Sequence, residues 1–117
     1  MSMEEAAAQL AGKFNVDHSD CGKVGYLREP YFGAPYPTQA LVPEAFRDGQ
    51  ARIAASDLQK RLPDALSLVE TREQCFGFSR ENQATAKRMQ NQFRDFVALC
   101  VRKENETGLP CLIVASR

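Results

Sequence analysis

Six residues near the middle of the last third of the chain fall on one helical stripe: Met89, Phe93, Phe96, Val97, Cys100 and Val101. Their steps of four, three, one, three and one fit a period of 3.6 and no strand period, so they demand a helix with one buried face. Ser79 is placed to cap its start, and the segment "RENQATAKRMQNQFRDFVALCVRKE" continues it to about Glu104. A helix of this length needs a partner to cover its stripe. "PEAFRDGQARIAASDLQKRL" supplies one, opening with Pro43 and presenting Phe46, Ile53, Ala54 and Leu58. Gly49 weakens this second helix. Pro63 is expected to break or kink it before "PDALSLVETREQCF" restarts with Leu66, Leu68 and Val69 on its apolar face and Gly77 at its end. These segments predict a mainly α fold, a small helical hairpin or bundle over residues 43–117 that ends in a short C-terminal tail. Within that tail Leu112, Ile113 and Val114 suit a short strand or a buried strip.

The N-terminal third reads differently. Residues 1–14 carry a short helical signal, with Glu4 and Glu5 in the first turn, alanines after them, and Leu10 and Phe14 four apart. Residues 15–42 are rich in Gly and Pro, and Pro30, Pro35 and Pro37 forbid a continuous helix. All 3 tyrosines of the chain fall here. A flexible linker would be poor in aromatics. The expectation is an extended arm, folded on its own helices or laid across a partner, with Tyr26, Tyr31, Phe32 and Tyr36 as candidate partner contacts.

With 117 residues the chain suffices for one small domain with a thin core. Fifteen basic residues balance 15 acidic ones, so no net field draws it to nucleic acid or an anionic membrane. No apolar run approaches the ~20 residues of a membrane span. The first residues have neither a secretory pattern nor an Arg-rich transit pattern. The last helix is locally basic: Arg80, Lys87, Arg88, Arg94, Arg102 and Lys103 stand against Glu81, Asp95 and Glu104. That pattern suits a solvated face or a contact with an acidic protein, and less well a nucleic-acid surface.

Chemistry-bearing motifs are sparse. His18 is the only histidine; Asp17, His18, Asp20 and Cys21 form one polar loop without a second ligand pair, so a solvated turn is expected rather than a metal centre. There is no Gly-rich phosphate loop. No cofactor is expected and no catalytic set is legible. The cysteines are Cys21, Cys75, Cys100 and Cys111. Cys100 and Cys111 bracket "VRKENETGLP", and they are either a disulfide clasp or two reduced thiols, one of them on the apolar stripe. A bond closing this loop would restrict the unfolded chain by about 2–3 kcal/mol.

The stretch "ENQATAKRMQNQFRDFVALCVRKENETGLPC" resembles the twin-cysteine helical-hairpin proteins of the mitochondrial intermembrane space, with the texture of cytochrome c oxidase subunit VIb. The matching pieces are Asn82-Gln83, Phe93, Asp95-Phe96, Cys100 and Cys111. Met89 stands where the family's first helix would carry a partner cysteine, and six residues follow Cys111, too few for the family's second helix. The resemblance implies a non-catalytic accessory subunit of a larger complex, a mitochondrial respiratory one, peripheral to the inner membrane and with other protein subunits as partners. A cytoplasmic location is the alternative. Other functions to weigh are an autonomous helical domain that binds a small molecule and, less favoured, a basic-helix nucleic-acid binder.

Overall fold

The computed structural model describes Met3 and residues 10–18, 22–30 and 37–116, with side chains at Met3, 37–71 and 73–114. Helix is the larger part of it, and the longest helix is the one that the stripe from Met89 to Val101 predicts. The elements run β1 (Leu10–His18), β2 (Gly22–Pro30), α1 (Pro37–Leu41), α2 (Pro43–Asp48), β3 (Gln50–Ile53), α3 (Ala55–Phe76), α4 (Arg80–Thr107) and β4 (Cys111–Ser116). Beside the helices stands a four-stranded sheet of order β2-β1-β4-β3, antiparallel at every pairing, which the sequence reading did not contain.

The 28-residue α4 is about 42 Å long at 1.5 Å per residue. That matches the 43 Å long axis of the molecule. Ser79 caps it as expected, its hydroxyl accepting a hydrogen bond from the Asn82 N–H at 3.1 Å. Its other end stops at Gly108, in the left-handed region at φ 76°, whose N–H closes on the Glu104 carbonyl at 2.8 Å. Met89, Phe93, Phe96, Val97 and Cys100 are buried, and Val101 is half-buried against them. The three-residue turn 77–79 returns α4 antiparallel along α3. Leu58, Ala65 and Val69 of α3 enter the same core, with Leu62 and Leu66 half-buried against it.

Several boundaries differ from expectation. The single helix expected from Pro43 is cut at Gly49, which adopts φ 82° and lets the chain turn into β3. Only glycine takes that conformation cheaply. Conversely, Pro63 neither breaks nor restarts a helix, because α3 runs through it for 22 residues. Pro63 is exposed, on the outer side of the helix, where the carbonyl left without an N–H donor can turn to water. The helix expected over residues 3–14 gives way to strand from Leu10 onward. Leu10 and Phe14, four apart, share a face in a strand as well as in a helix, so their spacing does not discriminate. The extended arm over 15–42 is not a lone arm: 22–30 pairs with β1 from Leu10↔Pro30 to His18↔Gly22, and 37–41 is helical. Pro30 closes an edge strand, where a missing donor interrupts nothing beyond. Pro37 opens α1 at a position that suits it.

The tail takes the strand alternative. Cys111 and Ile113 of β4 are buried and alternate with half-exposed Leu112 and Val114, which turns one sheet face into the common core. Two polar ties lock the helices onto this frame. Arg61 of α3 holds Glu44 of α2 with both guanidinium nitrogens, at 2.6 and 2.9 Å, and reaches the Leu41 carbonyl at 3.3 Å. Arg52 of β3 donates to the Pro110 carbonyl at 2.9 Å, just before β4.

Candidate docking groove

Where α3 and α4 run side by side they leave a groove of about 660 Å3, open to solvent. Its floor is Leu62 of α3 with Val97, Ala98 and Val101 of α4. On α4 the floor and the rim form one stripe, Arg94, Val97, Ala98, Val101 and Arg102, stepping by three, one, three and one. It shares Val97 and Val101 with the core stripe and continues from them onto the neighbouring exposed face. Val97 is nearly covered, Leu62 and Val101 are half-buried, and Ala98 is open to water. Methyl groups thus line a trough whose edges are polar: Gln59 on one side, Asn105 and Glu106 at one end, and the two arginines along α4.

The arginines belong to a longer row. Positions 80, 84, 87, 91, 94, 98, 102 and 105 follow one exposed line down α4, and every one of them is solvent-facing. Four are cationic, Arg80, Lys87, Arg94 and Arg102, and none is a carboxylate. Arg94 donates to the neutral Asn91 amide oxygen at 3.1 Å. None of the four cations forms an ion pair among the described residues. Two of the nearby carboxylates are engaged elsewhere: Glu106 with Lys103 at 3.2 Å, and Glu70 with the Gln90 amide at 3.5 Å. The balanced formal charge of the chain therefore hides a local segregation: the exposed line down α4 carries cations and no carboxylate, and its Arg94 and Arg102 line the groove. The sequence exposed these cations as a locally basic helix. Helical phase sorts them, keeping Arg80, Lys87, Arg94 and Arg102 on one exposed line, of which Arg94 and Arg102 reach the groove, and setting Arg88 and Lys103 to the side. The contribution of Gln59 and Leu62 was not legible, because it depends on how α3 is set against α4.

Among the described residues two large apolar side chains are exposed, Phe78 at 76 % and Leu109 at 46 %. They flank α4 at its two ends, in the turns that precede and follow it.

The cysteines that bracket the α4–β4 turn come together in the fold. Both are buried, and both are free thiols. The Cys111 Sγ donates weakly to the Cys100 carbonyl oxygen at 3.7 Å. Burial pushes the Cys100 thiol far above its ordinary range, with the neighbouring Cys111 adding to the effect. Burial likewise raises Cys111. Such thiols resist ionisation and behave as small core hydrophobes. Cys75 is free and exposed. Cys21 lies outside the described residues.

Of the aromatic residues expected to contact partners, Tyr26 is in β2, opposite Asn15 of β1. Tyr31, Phe32 and Tyr36 lie outside the described residues, as do Asp20 and Cys21 of the polar loop. Asp17 and His18 end β1. Among the described residues, no three His, Cys, Asp or Glu side chains are grouped as metal ligands, and no helix is long and apolar enough to cross a membrane. Compared with protein-family models, with curated proteins and with solved structures, the chain shows no match.

Proposed function

We propose that this chain is a non-catalytic accessory subunit of a larger protein assembly and that it docks through the α3–α4 groove. The observation that carries this reading is the apolar groove, open to solvent at Ala98 and in part at Leu62 and Val101, beside cations that have no counter-ion within the described structure. An apolar surface rimmed by polar groups is the usual form of a protein contact. The sequence offers no nucleophile–base pair or phosphate loop to favour catalysis instead. A small-molecule site is the second reading, since the groove volume lies in the range of ligand pockets. Its openness favours a macromolecular occupant, because small ligands are mostly enclosed by their sites. Residues 81–111 make a mitochondrial respiratory complex, at the periphery of the inner membrane, the first assembly to search, with a cytoplasmic assembly as the alternative.

The test is co-elution. Tagged wild-type chain and Ala98→Glu are expressed in native cells and fractionated by size. Ala98 is on an exposed helical surface, so the substitution leaves the fold intact, as circular dichroism will verify. The expected result is wild type in a stoichiometric complex well above its own 13.0 kDa, with Ala98→Glu shifted to free monomer. Wild type and variant both eluting as free monomer would refute the reading.

A further inference from the structure

We infer that the occupant of the groove is an acidic amphipathic helix of another protein, laid along α4. This rests on the docking reading and adds the chemistry of the partner to it. Three features select that chemistry. The groove lies between two antiparallel helices, the place that a third helix fills in a bundle. Its floor is aliphatic, Leu62, Val97 and Val101, and so calls for an apolar stripe on the incoming element. Ala98, and Ala84 further up the same line, are short enough to let a backbone come close.

The charge pattern then sets the flanks. Arg80, Lys87 and Arg94 are spaced by sevens, and Arg102 continues the row one residue beyond the next seven. A helix running beside α4 meets this row with flanking positions at heptad spacing, the geometry by which charged flanks choose partners in coiled coils. Acidic residues at those positions would be satisfied by cations that now have none. A second copy of this chain fits worse. Two-fold pairing of α4 with itself about the apolar Ala98–Val101 centre would set Arg94 against the neutral Asn105 and Arg102 against the apolar Val97, so these cations would meet no carboxylate. Nucleic acid also fits worse, because its phosphates have no use for the aliphatic floor.

The experiment uses the intact chain and fluorescein-labelled helical peptides of roughly three heptads, with leucine on one face. The flanks are Glu in one peptide, Gln in a second and Lys in a third, and binding is read by anisotropy. The Glu peptide is expected to bind about 10-fold more tightly than the Lys peptide, the sum of several exposed ion pairs. Raising salt about tenfold should shrink that difference by screening. Arg94→Glu with Arg102→Glu, both on the exposed surface, should reverse the order of preference. Equal binding of the Glu and Lys peptides, preferential binding of a single-stranded oligonucleotide, or a groove-dependent dimer in sedimentation would each overturn the inference. If all three peptides fail while wild type still enters an assembly that Ala98→Glu abolishes, the acidic-helix inference falls and the docking reading stands. Failure of both experiments overturns both.

Discussion

The clamp between Arg61 and Glu44 is the strongest polar tie in the described structure, and its contribution can be worked out before it is measured. Exposed ion pairs contribute ~0.2–1 kcal/mol. This pair is bidentate and each side chain keeps 29 % of its exposure. Charge-assisted, two-pronged bonds are roughly twice as strong as neutral ones, which puts the coupling at about 1–2 kcal/mol. A double-mutant cycle of Glu44→Gln, Arg61→Met and the double variant isolates it. The Arg61 bond to the Leu41 carbonyl is lost in both arms that lack Arg61 and so cancels. Stability is read by urea denaturation followed by circular dichroism. The pH dependence gives an independent check. The hydrogen bonds from Arg61 hold the Glu44 carboxyl below its ordinary value of 4.5. Below 4.5 the unfolded chain takes up this proton before the folded one does. The stabilisation is therefore complete above 4.5 and is lost as pH falls through the lower, folded value. The coupling should accordingly be full at neutral pH and shrink as acid carries the pH down through the folded value. A coupling under ~0.3 kcal/mol at neutral pH, or one that persists unchanged in acid, would refute the argument.

Two further predictions concern the end of α4. In a Cys21→Ser background, native protein should expose one rapidly alkylated thiol, Cys75, and unfolding should release two more, since Cys100 and Cys111 are buried with raised pKa values. Mass spectrometry after iodoacetamide counts them; three fast thiols would contradict the burial, and a pair still blocked after unfolding would mean that the two are joined. Gly108→Ala should cost about 1–2 kcal/mol, because a Cβ there meets open space and the whole penalty is the left-handed backbone at φ 76°. Gly108→Asn should cost clearly less, and thermal denaturation will rank the two; equal losses would disprove the backbone explanation.

What the sequence made legible was local. The α4 stripe, its Ser79 cap and the Gly77 stop are each encoded within a few residues, and each stands where periodicity and capping place it. The sheet was not legible, for a physical reason. β1 offers only Phe14 and Val16 as a clear alternation, and β3 is four residues long, so neither carries enough period to be told from loop. β3 pairs only with β4, which is remote in sequence, and β1 joins β4 on one side and β2 on the other. Pro63 and Gly49 show how punctuation misleads: the proline is absorbed on an exposed helical side, while the glycine, read as a mild weakness, turns the chain. For the groove, the basic residues were visible as a cluster, but their division into a groove row and its flanks came only with helical phase. The α3 wall needed the fold itself.

The place of β4 in the sheet has a consequence for how the chain assembles. β4 lies between β1 and β3, and it is joined to β1 by pairings such as Lys13↔Ser116. β3 has no neighbour but β4. Until the ribosome has delivered β4, one sheet edge is a lone ribbon of β1 with β2 and the other has nothing to pair with. The α3–α4 hairpin, by contrast, closes through a three-residue turn. Contacts so close in sequence form early, and those about a hundred residues apart form late. The wall of the groove and the β1–β2 ribbon therefore belong to the fast, local half of folding, and the joining of that ribbon to β3 through β4 belongs to the slow half.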